Sequence, residues 1–451
     1  MVDFGFGPKP SKPGQAQAKK MTTAAARQGR VTRLLRMLGP GLVTGAADDD
    51  PSGIATYSQG GAQFGYALGW TMFLTAPFMI AIQMVSARIG AVTGQGLAAN
   101  LAKALPRFLL HAIVGLLLVA NTLNIAADIA AMGDALRLVA GGPVLLYIAM
   151  FGIGCLAAEI LIPYHSYSSY LKTLTLVLFA YVAAAFSVAI PWGEVLRATF
   201  VPRLSFSRDF TLMLVAIFGT TISPYMFFWQ ASLEAEGRKL RSHAKDAAAA
   251  AALRNRLPQQ DSFRIGLDTT TGMLLSNLIG YFIIITTAAT LHAHGVTQIG
   301  TAGQAAEALR PLAGPFAFFL FSTGIIGTGL LAVPVLAGSA GYAVAESFGW
   351  EGSLEMPARS APGFYLVVAA ATLAGLGAAL TPLDPIQMLF WSAVVNGVVA
   401  VPLMIAMMLV VGSRKIMGKF SASRALMIFG WGATAVMAVV VAAMLTTSVT
   451  G

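Results

Sequence analysis

Apolar segments of about 20 residues follow one another along most of this 451-residue chain. A transmembrane helix needs about 20 consecutive, mostly apolar residues, and a helix satisfies its own backbone hydrogen bonds inside a bilayer. Charged residues make up only 11% of the chain, whereas they make up about a quarter of a soluble domain. The sequence therefore predicts an all-α polytopic membrane protein without a soluble domain.

The apolar segments number eleven, and each is expected to be one membrane span. They lie at about 39–65, 67–90, 108–138, 142–162, 170–190, 209–236, 264–291, 314–345, 361–381, 385–411 and 425–447. We expect a single transporter domain over 38–451, built from one repeat at 38–190, a second at 209–411 and an extra helix at 425–447.

Charge placement predicts the orientation of the spans. Region 1–37 carries eight Lys and Arg against Asp3 alone, which predicts a basic, disordered tail on the cytoplasmic side. The basic loops 237–264 and 412–424 support this orientation, while the acidic loop 346–360 is an exception. With eleven spans the C-terminus would lie outside, and we expect a multi-pass protein of a bacterial inner membrane.

Two predicted spans contain helix breakers at their centres. Pro51 follows three aspartates in span 1, and Pro224 interrupts span 6. A proline lacks the backbone donor and clashes with the preceding helical turn, so each could be an ordinary kink. However, the breaks fall in the first members of two successive sets of five spans, as in transporters with inverted repeats and a substrate site at discontinuous helices.

The residues at the breaks indicate the kind of substrate. A carboxylate in the middle of a membrane is costly without a partner or a function, so we expect Asp50 to bind a cation. Asp48 and Asp49 point in other directions and are assigned to the cavity wall or to proton transfer. Span 6 offers oxygen atoms from Thr220, Ser223 and their neighbours, which suits hard divalent cations such as Mg²⁺ or Mn²⁺.

Both broken segments resemble the natural resistance-associated macrophage protein (Nramp) family of divalent metal transporters. The first is GPGLVTGAADDDPSGIATYSQGGAQFGY, and the second is GTTISPYMFFWQAS. The family's usual form is an Asp-Pro-Gly-Asn break in span 1 and Ala-x-x-Met-Pro-His in span 6. The resemblance implies a fold of five plus five helices in inverted repeats and transport by alternating access.

The resemblance also implies roles for individual residues. The family's metal-binding Asp falls on Asp50, its Asn on Gly53, its carbonyl ligand on Thr220 and its Met on Ser223. The cavity or proton-pathway positions fall on Asp128, on Asn396 and, in place of two histidines, on Tyr225 and Gln230. Asn277 of span 7 is a further candidate for the cavity.

The departures from the family pattern affect which ion we expect the site to bind. Ser223 removes a soft thioether ligand, and Gly53 removes an amide oxygen, which we expect to widen the site for a partly hydrated ion. The pattern is similar to the divergent Nramp-related magnesium transporters. The loss of both histidines, and of a family Glu at Ala131, makes proton coupling doubtful.

The sequence therefore predicts a secondary transporter of a hard divalent cation, most readily Mg²⁺, with Mn²⁺ as the next candidate. The alternatives are a proton-coupled Mn²⁺/Fe²⁺ importer and a sodium-coupled carrier of small solutes on the same fold. No enzymatic motif, cofactor or nucleic-acid partner is expected. Glu159, another acid inside a span, lies near the inner end of span 4 and is interpreted as an interfacial anchor.

Overall fold

The computed structural model describes residues 45, 47–162, 176–243 and 247–450, with side chains except at 239–243, 247–262 and 450. The predicted basic tail 1–37 and the start of span 1 lie outside the described residues. Within the described ranges, every regular element is a helix. The predicted all-α membrane fold is therefore confirmed.

The first half of the described chain contains seven α-helices. They are α1 (Pro51–Phe64), α2 (Gly69–Thr93), α3 (Leu97–Ala104), α4 (Arg107–Ala140), α5 (Val144–Leu161), α6 (Phe179–Ser187) and α7 (Trp192–Phe200).

The second half contains ten more α-helices. They are α8 (Arg208–Thr221), α9 (Pro224–His243), α10 (Ala247–Thr290), α11 (Ala302–Glu307), α12 (Arg310–Ala313), α13 (Ala317–Phe348), α14 (Pro362–Ala379), α15 (Pro385–Gly412), α16 (Arg414–Met417) and α17 (Arg424–Thr450). Helix α10 begins well before the predicted span at 264, because the alanine run that it starts with is favourable in a helix.

Nine stretches of the described chain are long and apolar enough to cross a membrane, or ten if α6 and α7, with the turn before α6, form one bent span. One of the nine, Pro51–Thr93, covers both α1 and α2. As one helix it would be about 65 Å long, roughly twice the hydrocarbon thickness. The chain also turns at Gly65, whose φ is 58°, so this stretch is expected to cross twice. The total of eleven spans stays a prediction.

Each broken segment packs against a helix from the other half of the chain. A Cβ atom at Gly61 of α1 would overlap the carbonyl of Ile284 in α10, and one at Gly90 of α2 would overlap the carbonyl of Ala231 in α9. Helix α1 thus lies against predicted span 7, and α9 lies against predicted span 2. Such reciprocal packing is what two inverted repeats would produce, and Asp50 and Ser223 at the two breaks are both buried.

Candidate functional site

The first break separates a short helical stretch from α1. Gly45, Ala47 and Asp48 are helical, Asp49 and Asp50 are not, and α1 starts at Pro51. Proline is well suited to the first position of a helix, where its missing N–H would have no partner in the helix. The sequence-predicted interruption of span 1 is therefore present at the expected residues.

Asp50 is the N-cap of α1. Its Oδ1 accepts hydrogen bonds from the Gly53 backbone N–H at 2.8 Å and from Ser52 Oγ at 2.6 Å. A carboxylate is stabilised at the N-terminus of a helix by the exposed N–H groups and the helix dipole. The side chain is only 1% exposed, so its charge is held inside the protein.

The second break separates α8 from α9. Helix α8 ends at Thr221, Ile222 and Ser223 are not helical, and α9 begins at Pro224. Ser223 Oγ lies 2.8 Å from the carbonyl oxygen of Thr220 and 3.1 Å from that of Gly219. In this conformation the Thr220 carbonyl, which the family resemblance assigns to the metal, accepts the Ser223 hydroxyl instead.

Tyr225 joins the two breaks. Its hydroxyl lies 3.2 Å from Asp50 Oδ2 and 3.2 Å from the carbonyl oxygen of Ala47. Tyr225, in the first turn of α9, thereby donates a hydrogen bond to Asp50 at the N-terminal end of α1. The position that carries a histidine in the family is here a buried phenol that contacts the predicted metal-binding carboxylate directly.

Gly53 does not open a wide space in this structure. A Cβ atom at Gly53 would lie 3.1 Å from Thr220 Oγ1 and 3.4 Å from Tyr57 Cε2. The threonine hydroxyl and the tyrosine ring therefore border the place where the family's Asn side chain would begin. The expected widening of the site by Gly53 does not agree with this packing.

Asp48 and Asp49 share one partner on α10. Ser276 Oγ lies 2.8 Å from Asp48 Oδ2 and 2.8 Å from Asp49 Oδ1. Both aspartates are almost fully buried, and a serine hydroxyl has a single hydrogen to donate. Sequence reasoning missed Ser276, which stands beside the predicted cavity residue Asn277 on α10.

The other predicted cavity residues are buried but lie in separate contacts. Asn277 Nδ2 donates to Met79 Sδ at 2.8 Å. Asn396 Oδ1 accepts from Asn124 Nδ2 at 2.9 Å, which links α15 to α4. Gln230 is fully buried in α9, more than a turn beyond Tyr225. None of these contacts reaches the Asp50 carboxylate among the described residues.

Asp128 and Glu159 are two buried acids outside the contacts of the two breaks. Asp128 of α4 is fully buried, and neither of its carboxylate oxygens has a hydrogen-bond partner in the described chain. Glu159 of α5 is also buried, with Thr372 Oγ1 donating to its Oε2 at 2.9 Å. The interpretation of Glu159 as an interfacial anchor is therefore wrong, because α14 covers it.

The donors at the two breaks are oxygen atoms. Asp50 contributes a carboxylate, Ser223 a hydroxyl and the unwound backbone its carbonyl groups. Within the described ranges, no group of three or more His, Cys, Asp or Glu side chains is arranged to hold a metal ion. A cation at the breaks would thus depend on one carboxylate and on neutral oxygens, a set that hard divalent ions accept.

Two comparisons with known proteins agree with this geometry at the level of sequence. The chain is 29% identical over 322 residues to the divalent metal cation transporter MntH of Xanthomonas campestris pv. campestris, covering 70% of this chain and 69% of that protein. It is 26% identical over 444 residues to MntH of Deinococcus radiodurans, covering 97% of this chain and 95% of that protein.

The fold is similar to that of a solved transporter. The crystal structure of the Eremococcus coleocola manganese transporter, bound to an aromatic bis-isothiourea compound, superposes with a TM-score of 0.67. The match covers 90% of this chain and 85% of that chain at 16% identity, and it supports the fold alone. The family model described as natural resistance-associated macrophage protein-like matches residues 41–447, nearly the whole chain, and the protein therefore belongs to the Nramp family.

Proposed function

We propose that this multi-pass membrane protein carries a divalent metal cation across the membrane by alternating access, with the ion bound between the two broken helices. The observation that carries the proposal is the Asp50 carboxylate. It is buried at the first break, and its second oxygen lies 3.2 Å from the hydroxyl of Tyr225, in the first turn of the helix after the second break. A cation bound there would replace the Tyr225 hydroxyl as the partner of Oδ2.

The second break would supply neutral ligands once it rearranges. Rotation of the Ser223 hydroxyl away from the Thr220 carbonyl would free both oxygens for an ion. Together with Asp50, these atoms form an incomplete coordination shell, and water would complete it. Alternating access then requires α1 and α9 to separate on one side at a time, since the Tyr225 contact joins them in this conformation.

Mn²⁺ is the ion that we expect. The solved relative is named as a manganese transporter, and the sequence relatives are named as divalent metal cation transporters. The preference for Mg²⁺ drawn from the sequence finds no support in these relatives, and the packing around Gly53 removes the widening on which it partly depended. Mn²⁺ accepts the same carboxylate, carbonyl and water ligands as Mg²⁺.

Mg²⁺ stays as the second candidate because of one residue. Ser223 at the second break has no sulfur atom, and a thioether is the ligand that would favour softer transition metals. The sodium-coupled carrier of small solutes is less well supported, because three buried carboxylates beside the break disfavour a neutral or anionic solute. The transported ion is a substrate and not a cofactor.

Ion uptake by proteoliposomes tests this proposal. Vesicles that contain the purified chain and a metal-sensitive dye are given Mn²⁺, Mg²⁺ or Ca²⁺ in turn, at two external pH values. We expect saturable Mn²⁺ uptake above that of protein-free vesicles, with competition by Mg²⁺ only at much higher concentration. Saturable Mg²⁺ uptake that Mn²⁺ does not inhibit would favour the second candidate, and no uptake of any divalent ion would refute the proposal.

A further inference from the structure

Helix α7 is too short to cross a membrane by itself. Its 9 residues span about 14 Å at 1.5 Å per residue, whereas the hydrocarbon core is about 30 Å thick. It is also bent by 120° from the helical segment before it, Leu176–Ser187. A short helix that turns away from the preceding segment is suited to lie in the interface between lipid headgroups and acyl chains.

Two faces of α7 differ sharply in exposure. Val195 and Thr199 are buried, and the Thr199 hydroxyl contacts α10. The other face is an apolar stripe, defined as the three large side chains that follow one another at intervals of four residues and are between 38% and 66% exposed: Trp192, Leu196 and Phe200. Residues four apart lie on one side of a helix, and aromatic and aliphatic side chains form the lipid-facing side of an interfacial helix.

A third face of α7 borders a cavity of about 430 Å³. Glu194 and Arg197 of α7, with Arg203 just beyond the helix, line one side of this cavity. The turn between α1 and α2, residues 65–67, and His292 after α10 line the other side. The cavity therefore lies between the surface helix and the end of the broken helix α1, and it shares α7 with the apolar stripe.

Positive charge exceeds negative charge in this cavity. Among the described residues that line it, Glu194 is the single acid, against two guanidinium groups. Neither Arg197 nor Arg203 forms an ion pair with any described residue. A guanidinium presents parallel N–H donors that match the oxygens of a phosphate group, so the cavity is suited to an anion of that kind.

His292 is a further polar group at the cavity. Its Nδ1 lies 2.8 Å from the carbonyl oxygen of Ala62 in α1. Because a carbonyl oxygen only accepts hydrogen bonds, Nδ1 carries a hydrogen and the orientation of the ring is fixed. The other nitrogen, Nε2, stands beside Gly65, where a Cβ atom would lie 3.2 Å from it. A protonated His292 would add a third positive group to the two arginines.

From the basic cavity and the apolar stripe together we infer that α7 binds an anionic phospholipid, with its phosphodiester group in the cavity and its acyl chains along the stripe. Basic pockets beside membrane helices bind anionic headgroups. An anionic lipid neutralises the excess positive charge of the cavity, which a zwitterionic lipid leaves in place. A free phosphate would use the cavity without the stripe, and a second copy of this chain would cover the stripe without a lipid.

Native mass spectrometry of the purified full-length protein in detergent tests the inference. Phosphatidylglycerol and phosphatidylcholine with the same oleoyl chains are added in turn, and the bound fraction is measured against lipid concentration. We expect the wild type to bind the anionic lipid about tenfold more tightly, since each arginine near a headgroup adds to the attraction. The double variant Arg197→Gln with Arg203→Gln should lose this preference.

A matched control removes the same charge elsewhere. Arg359 and Arg424 are exposed, lie outside the cavity lining and form no ion pair with a described residue. Arg359→Gln with Arg424→Gln should therefore keep the preference for the anionic lipid. If the double variant in the cavity does not fold, the wild type alone still gives a test, because the preference should shrink as ammonium acetate is raised and screens the charges.

A third variant tests the acyl chains. Leu196→Gln places an amide in the middle of the apolar stripe, and we expect it to weaken binding of phosphatidylglycerol by about fivefold through the loss of apolar contact. Glycerol 3-phosphate, which has the phosphate group without the chains, should not displace the lipid at equal concentration. Displacement at that concentration would show a phosphate site without a lipid and would overturn the inference.

The remaining outcomes also decide the inference. Equal binding of the two lipids by the wild type, or an unchanged preference in the Arg197→Gln/Arg203→Gln variant, would overturn it. A protein dimer that disappears in Leu196→Gln would assign the stripe to a second copy of the chain and would overturn it as well. All of these measurements record binding without transport, so their failure would leave the proposed function intact.

Discussion

The two helix breaks meet at one place but differ in their chemistry. The first break carries charge, and the Asp50 carboxylate accepts hydrogen bonds from Ser52, Gly53 and Tyr225. The second break carries none, and its Ser223 hydroxyl bonds to carbonyl groups of its own segment. The first break can therefore supply attraction for a cation, while the second can supply neutral ligands and adjust its shape.

The two breaks should therefore control different properties of the site. Charge at the first break should determine whether a cation binds at all. The ligand atom at the second break should determine which cation is preferred. Exchanging a neutral oxygen ligand for a neutral sulfur ligand changes the softness of the site more than its total attraction for a cation. Tyr225 belongs to the second segment but contacts the first, and it should affect affinity.

The largest effect is expected from Asp50→Ala. The variant removes the carboxylate that faces the second break, and we expect Mn²⁺ transport to fall by about a hundredfold or more, as for the loss of about 3 kcal/mol. Initial uptake rates in proteoliposomes measure this. Asp209→Ala, a change at an exposed aspartate near the start of α8, is the control. Full activity of Asp50→Ala would show that the first break is not part of the binding site.

Tyr225→Phe should have the next largest effect. It removes a hydroxyl that joins the two breaks and leaves the ring in place. We expect the apparent affinity for Mn²⁺ to change by about tenfold, with the maximal rate altered less. Tyr281→Phe, which loses a hydroxyl that contacts Thr199, is the matched control. Equal behaviour of the two variants would contradict a link between the breaks.

Ser223→Cys should change ion preference more than total activity. The thiol is close in size to the hydroxyl but is a softer ligand, so we expect Cd²⁺ to gain over Mn²⁺ by about fivefold, or close to 1 kcal/mol. Competition of Cd²⁺ against Mn²⁺ uptake measures the change. Ser392→Cys, a buried serine that bonds within its own helix, is the control, and an identical shift there would count against a ligand role for Ser223.

The smallest effect concerns the contact of Gly53 with Thr220. A Cβ at Gly53 would be tightly placed against Thr220 Oγ1, so Gly53→Ala should be tolerated better when Thr220→Ala removes that hydroxyl. We expect a coupling of about 1 kcal/mol between the two changes, as is usual for residues in contact. Unfolding of the purified single and double variants measures it. Additive effects would show that the two segments do not touch here.

Several parts of the fold and the site could be predicted because they depend on local chemistry. The apolar segments, Pro51 and Pro224 indicated membrane helices and two breaks without any information on packing. The convergence of Asp50, Gly53, Thr220, Ser223 and Tyr225 came from the family resemblance, and the structure does bring these residues together.

Other features could not be predicted, because the helices are apolar on most sides. A periodic apolar face shows which side of a helix is buried, but a membrane helix that is apolar all round gives no such signal. Ser276 was therefore not recognised as the partner of Asp48 and Asp49, and Glu159 was placed at the membrane surface. The expected wide space at Gly53 failed for a similar reason, since Thr220 and Tyr57 reach it from other turns.

The order of the residues alone indicates that the chain forms membrane helices, that two of them break, and that a carboxylate stands at the first break. These properties follow from hydrophobicity, from the missing N–H of proline and from the cost of a buried charge. The partners of that carboxylate depend on helix packing, because Tyr225 is 175 residues away along the chain. The burial of Glu159 was likewise decided by α14, since long-range helix packing determines which polar groups lose contact with water and lipid headgroups.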